Sequence, residues 1–327
     1  MKTRSAEILY AESLKMKIYR DIPGDKEKAG SVVTIGTFDG VHKGHREIIS
    51  RVIEESEMSG LESCVVTFEP HPRTVVSKDF RLEILTTLDE KTGILESLGV
   101  DKFWIINFTK EFSSKSYDEF IMEYLVKGTN AKKIVIGYDH KFGKNRDGNV
   151  KKLEALGKEN GFEVIEMSAV KNNSEEISST KIRSAIAEGL IDKANNYLGR
   201  YYSISGTVVK GAQRGRTLGY PTANISPDDA NKIVPKTGVY FTRCNIEGTE
   251  YFGMTNIGLR PTFHDVTELI IEVNIFNFNK EIYGKNLKIE FIERIREEIK
   301  FNSVDSLIGQ IAKDKEECIK LIEKLTN

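Results

Sequence analysis

His42 and His45 lie three residues apart in the run Gly36-Thr37-Phe38-Asp39-Gly40-Val41-His42-Lys43-Gly44-His45. The apolar stretch 31–35 precedes this run and an amphipathic stretch from Arg46 follows it, so it reads as strand, loop and helix start. Free backbone N–H groups and the positive end of the helix dipole favour an anion at such a place. Attack on a nucleotide α-phosphate needs little covalent help and much charge stabilisation, which imidazoles and helix N–H groups supply. Phosphate binding is therefore the leading reading, with two others open. With Asp39 the pair could chelate a metal, although zinc wants a third and often a fourth ligand and the chain holds five histidines, His42, His45, His71, His140 and His264. The histidines could also simply cap the helix, a position where His is not a preferred residue. No Walker motif and no G-x-G-x-x-G occurs, which argues against a P-loop ATPase or a classical dinucleotide dehydrogenase.

Other polar clusters accompany this loop. Ser178, Ser179 and Thr180 place hydroxyls at a helix start with Arg183 in its first turns, which is either an anion site or an ordinary cap. The stretch 137–143, with Asp139 and His140, and the stretch Phe68-Glu69-Pro70-His71-Pro72 each follow an expected strand, so these loops could share one sheet edge. Further on, Gly211, Gly215 and Gly219 interleave with Arg214 and Arg216, allowing backbone to approach phosphates, while Thr222 and Asn224 offer oxygens suited to Mg²⁺. An ordinary glycine-rich hairpin loop is the alternative. Glu272 sits within a strand-like stretch, on one face with Ile270, Asn274, Phe276 and Phe278; it is either a paired structural carboxylate or a general base.

The elements that must position these groups fall into two kinds. The runs 32–35, 64–68, 103–108, 134–136 and 164–167 look like strands buried on both faces. Amphipathic stretches separate them, with Gly60, Gly99, Gly128 and Gly161 where helices should stop. That pattern predicts a doubly wound α/β domain with a parallel sheet. Beyond Tyr201 the runs 202–210, 239–246, 251–257, 269–278 and 287–295 follow one another without helices, which predicts an antiparallel barrel. A last helix, led by Ser303 as N-cap, closes the chain. The expected domains are 1–187 and 201–327, joined by a linker at 188–200.

Composition limits the function classes. The 327 residues carry 48 Lys plus Arg against 49 Asp plus Glu, a net charge of −1, so no strong field recruits nucleic acid or membrane. The region 201–300, read as a possible nucleic-acid-binding barrel, has no basic excess. Cys64, Cys244 and Cys318 are far apart and form no C-x-x-C pair, arguing against disulfides and pointing to a reducing compartment. The start lacks a signal-peptide apolar core and no long apolar stretch occurs, so a soluble cytoplasmic protein is expected.

GTFDGVHKGH at 36–45, FEPHP at 68–72, GYDHKFG at 137–143 and ISSTKIR at 177–183 make the N-terminal half resemble the FMN adenylyltransferase module of the bacterial bifunctional riboflavin kinase/FMN adenylyltransferases, or FAD synthetases. GRTLGYPTANI at 215–225, PKTGVY at 235–240, NIGLRPTF at 256–263 and EIYGKNLKIEF at 281–291 make the C-terminal half resemble the riboflavin kinase module of the same family. The resemblance implies a nucleotidyltransferase (Rossmann-like) domain, then a small six-stranded barrel with a terminal helix. It implies that Gly36, Phe38, His42, His45, Ser179, Thr180 and Arg183 bind ATP for adenylyl transfer, with His42 and His45 catalytic, and that Phe68, Pro70, Pro72 and Asp139 line the flavin or nucleotide pocket. In the kinase module Gly211, Gly215, Arg216, Gly219, Thr222 and Asn224 would bind ATP, Thr222 and Asn224 would hold Mg²⁺, and Glu272 would act as base. Riboflavin, FMN, FAD and ATP are the implied partners. His140, Asn274 and Asn277 depart from the family pattern, the last two standing where His and Asp are usual. Those two motivate a rival reading in which the barrel binds flavin without kinase turnover.

Overall fold

A computed structural model describes residues 15–20, 29–76, 83–138, 148–168, 171–172, 175–211, 214–261 and 267–326. The chain divides into two compact units, Met1–Ser178 and Ser179–Asn327.

The first unit is built on six strands: β1 (Lys17–Tyr19), β2 (Ser31–Ile35), β3 (Glu62–Glu69), β4 (Lys102–Asn107), β5 (Ala131–Gly137) and β6 (Glu163–Met167). They form one sheet in the order β1-β4-β3-β2-β5-β6, and every pair is parallel. All five residues of β2 are buried, as expected for a strand covered on both faces. The chain steps from β2 outward through β3 and β4, then returns to β5 on the other side of β2. The carboxyl ends of β2 and β5 therefore flank the topological switch point, where open α/β sheets bind their ligands. A short hairpin, β7 (Lys171–Asn172) with β8 (Glu175–Glu176), follows the sheet.

Some helix ends differ from expectation. Gly60 and Gly161 cap their helices in the left-handed conformation, with φ 62° and 77°. Gly128 does not; Asn130 takes the left-handed turn there, with φ 51°. A Cβ on Gly128 would meet the Trp104 ring at 2.7 Å, so this glycine serves close packing. The segment Ile121–Gly128 is π-helical and continues the short helix Tyr117–Phe120.

The second unit contains β9 (Tyr202–Val209), β10 (Ala223–Pro227), β11 (Gly238–Ile246), β12 (Thr249–Pro261), β13 (Thr267–Ile275) and β14 (Asn286–Arg296). They close into an antiparallel barrel in the order β10-β13-β12-β11-β14-β9. Tyr202, Ile204, Ile271, Val273, Leu287, Ile289 and Phe291 are buried on alternate positions and fill it. The closing helix Val304–Thr326 starts where Ser303 Oγ accepts from Ser306 N at 3.1 Å. Its Cys318 and Leu321 pack on Val239, Phe241, Met254, Phe276 and Ile292. Arg296 of β14 ties the helix down with a bidentate pair to the buried Asp314, Nε to Oδ1 and Oδ2 at 2.9 Å each.

Three features of this unit differ from the sequence-based expectation. β10 begins at the end of the glycine-rich motif, where the sequence predicts no strand, and a one-turn helix, Arg214–Thr217, precedes it. β13 ends at Ile275, and Asn277 turns with φ 55°, a region Asn tolerates. Within 188–200, Ile191–Leu198 is a helix whose Ile191, Ala194, Tyr197 and Leu198 are buried, and its Asn195 side chain donates to Phe291 O and accepts from Tyr202 N.

Candidate functional site

In the first unit, the loop 36–42 leaves β2 at the switch point and enters the helix Lys43–Ser59. His42 is the N-cap of that helix, its Nδ1 accepting from the His45 backbone N–H at 3.3 Å. With Nδ1 accepting, the proton of a neutral His42 ring resides on Nε2, where it is a donor. The two imidazoles stack with centroids 3.6 Å apart and 18° between planes, and Phe38 meets His45 edge-on at 5.2 Å. Capping and phosphate handling are thus compatible uses of one residue, because the cap occupies only one ring nitrogen. Among the described residues no group of three or more His, Cys, Asp or Glu side chains is placed to hold a metal ion.

The loop is held in an uncommon shape. Phe38 and Val41, both buried, have φ 45° and 36°, left-handed values that non-glycine residues keep only when their surroundings fix them. Asp39 supplies part of that: its Oδ1 accepts from Leu85 N at 2.9 Å and Thr86 N at 3.0 Å, while Thr86 Oγ1 accepts from Gly40 N at 3.0 Å. Asp39 is therefore committed to holding the loop. The Thr37 carbonyl accepts from Thr67 Oγ1 at 3.2 Å and from Lys91 Nζ at 2.7 Å. Lys91, buried on the helix Leu88–Ser97, has its ammonium pushed below the ordinary lysine value by burial, partly offset by Asp39 and Glu69. Nothing in the sequence singled it out.

Gly36 lies under the Phe38 ring, where a Cβ would meet Cζ at 3.2 Å. Since β2 and β3 are parallel neighbours, the loops after them share the carboxyl edge of the sheet, where β5 also ends. At the end of β3, Phe68 joins Phe108, Phe112 and Phe120 in an aromatic cluster. Pro70 follows in a cis peptide and is exposed, and Pro72 opens a short helix, Pro72–Val76. Asp139 and His140 lie outside the described residues.

The second unit carries the remaining groups. Ser179 and Thr180 begin the helix Ser179–Ala187, with Arg183 one turn on and half-buried. On the barrel, Asn224 of β10 pairs in register with Glu272 of β13, and Glu272 pairs with Asn256 of β12. Directly paired residues point to the same face, so a carboxylate stands between two amides across three strands. That face is opposite Ile271 and Val273, hence outside the barrel. Asn256 is a candidate site residue that register reveals; in the sequence it only opens the NIGLRPTF run.

The glycine-rich loop closes onto this row. A Cβ on Gly211 would lie 2.2–2.6 Å from the Asn224 amide atoms, and one on Gly215 would lie 3.2 Å from Thr222 Oγ1. Both side chains thus rest against backbone that must lack a Cβ. Gly219 has φ 82°, and Arg216 is exposed. Asn274 donates its amide to Pro221 O at 2.7 Å, and so braces the segment leading into Thr222.

Comparison with known proteins identifies the two modules. The FAD synthetase family matches residues 24–181 and the riboflavin kinase family matches 198–322. A bifunctional riboflavin kinase/FMN adenylyltransferase of Bacillus subtilis is 39% identical over 92% of this chain and 95% of its own. The protein of that description from Escherichia coli K12 is 35% identical over 92% of this chain and 96% of its own. A solved structure described as a macrolide-efflux protein from Streptococcus pneumoniae superposes with a TM-score of 0.83 at 34% identity, covering 92% of this chain and 98% of that one. Among the described residues no helix is long and apolar enough to cross a membrane. With both modules matched in order and relatives aligned over nearly their full length, the chain belongs to the bifunctional riboflavin kinase/FMN adenylyltransferase family.

Proposed function

We propose that the chain performs two ATP-dependent steps with the residues described above. The barrel phosphorylates riboflavin to FMN, and the α/β unit transfers an adenylyl group from a second ATP to FMN, giving FAD and pyrophosphate. In the first step Glu272 accepts the proton of the riboflavin 5′-hydroxyl as it attacks the γ-phosphate, while Gly211, Gly215, Arg216 and Gly219 receive ATP. In the second, an FMN phosphate oxygen attacks the α-phosphate of ATP. His42 and His45 stabilise the charge that develops there, on a loop shaped by Gly36 and Phe38. Ser179, Thr180 and Arg183 are assigned to ATP binding for adenylyl transfer, and Phe68, Pro70, Pro72 and Asp139 to the flavin or nucleotide. These assignments divide the functional modules at 1–187 and 201–327.

Thr222 and Asn224 fit a magnesium site: both offer hard oxygens, each lies against a glycine, and the ion ordinarily takes few protein ligands beside substrate phosphates. When bound, Mg²⁺ neutralises triphosphate charge. Cys64, Cys244 and Cys318 are buried and not joined in disulfides, which suits a reducing cytoplasm.

The observation that carries the two-step reading is the register that sets Glu272 between Asn224 and Asn256. A barrel that only bound flavin would need no carboxylate between two amides. Asn274 braces Pro221 and leaves that row intact, so its departure from the family pattern does not favour the binding-only alternative. Pure protein incubated with riboflavin and Mg-ATP is expected to yield FMN and then FAD on chromatographic separation. Unchanged riboflavin, with FAD made only from added FMN, would overturn the kinase assignment.

A further inference from the structure

We propose that Lys91 is a positioning residue for adenylyl transfer, its buried ammonium holding the Thr37 carbonyl and thereby the loop that carries His42 and His45. The inference rests on the assignment of that loop to ATP phosphates. Lys91 is 6% exposed, and a lysine is seldom buried without a reason because its charge must be satisfied. Its hydrogen bonds run to neutral oxygens, the Thr37 carbonyl at 2.7 Å and Thr67 Oγ1 at 3.4 Å. The carboxylates that act on it are Asp39, already accepting from two backbone N–H groups, and Glu69 at the end of β3. Glu90, beside it on its own helix, accepts from Thr87 N in a capping box.

The geometry gives the ammonium two tasks. It pins the start of a loop whose Phe38 and Val41 hold left-handed backbone, a shape that persists only when over-determined. It also polarises the Thr37–Phe38 peptide, since a carbonyl bonded to a cation makes the N–H of the same peptide a better donor. A cation beneath a loop that receives triphosphate favours the anion as well, and a neutral lysine would do neither task well.

The test uses the full-length protein and compares FAD formation from FMN with FMN formation from riboflavin, each with Mg-ATP, from neutral pH to the ordinary lysine value. Lys91→Met is expected to lower kcat/KM for FAD formation by roughly 100-fold, the scale seen when one preorganised electrostatic donor is lost, and to leave FMN formation unchanged. In the wild type, FAD formation should fall on the alkaline side below the ordinary lysine value as Lys91 loses its proton. Lys91→Arg, whose charge does not titrate in this range, should retain most activity and lack that alkaline limb. Equal losses in the Met and Arg variants with the limb persisting would overturn the proposal in favour of a packing role. The wild-type limb needs no variant, so its absence overturns the proposal even if Lys91→Met fails to fold. His42→Ala, assayed in parallel, tests the loop assignment by itself: unchanged FAD formation there removes that assignment, whereas its loss beside an unaffected Lys91→Met removes only the role of Lys91.

Discussion

Asn274 on β13 donates its side-chain amide to the carbonyl of Pro221, 2.7 Å away and one residue before Thr222. The bond joins a strand of the barrel to the loop proposed above to offer oxygens to a nucleotide. Replacing Asn274 by Ala removes a bond of about 1 kcal/mol and frees the loop, so KM for ATP in the kinase step should rise roughly fivefold. FAD formation from supplied FMN should not change. Initial rates at varied ATP, for each half-reaction, check this.

His42→Ala and Glu272→Gln should separate the two activities. The first removes an imidazole from the helix start proposed to receive phosphate and should cut FAD formation by roughly 100-fold or more, leaving FMN formation intact. The second removes the proposed proton acceptor and should cut FMN formation by roughly 100-fold, with FAD still made from supplied FMN. Loss of both activities by either substitution in a folded protein would contradict two independent sites.

The Arg296–Asp314 pair anchors the closing helix, and its carboxylate is buried. Asp314→Ala leaves a guanidinium without its partner and should destabilise the second unit by about 3 kcal/mol in denaturant unfolding. The double change Arg296→Met with Asp314→Leu should recover most of that loss, because apolar packing replaces a buried pair at little cost.

The proposed role of Lys91 predicts that stability and activity respond to pH in opposite directions. Its folded-state value lies below the ordinary one because of burial, so between the two the unfolded chain binds more protons than the folded chain. Its contribution to stability should therefore rise as pH climbs through that window, while FAD formation falls. Denaturant unfolding of wild type and Lys91→Met across this range should show the wild type gaining relative to the variant. A parallel decline of stability and activity would contradict the assignment.

Much of the fold was legible because burial on both faces writes itself as short runs rich in apolar and β-branched residues, as at 32–35 and 64–68. β1 was not, since Lys17-Ile18-Tyr19 is short and mixed and becomes a strand only by pairing with β4. β10 was hidden by Asn224 and Pro227, which disfavour strands in isolation; pairing with β9 and β13 overrides that preference. The histidine loop was readable from its spacing, but its fastening was not. A lysine on an amphipathic helix reads as a solvent-facing residue, and only tertiary packing turns Lys91 inward. Gly128 was read as a helix stop because a glycine's need for close approach leaves no local signature.

That close approach also has a practical consequence. Trp104, pressed against Gly128 and stacked on Tyr124, is the single tryptophan of the chain. Indole fluorescence is therefore private to the first unit: it reports the melting of the adenylyltransferase half and is silent on the barrel, whose unfolding must be followed through its tyrosines.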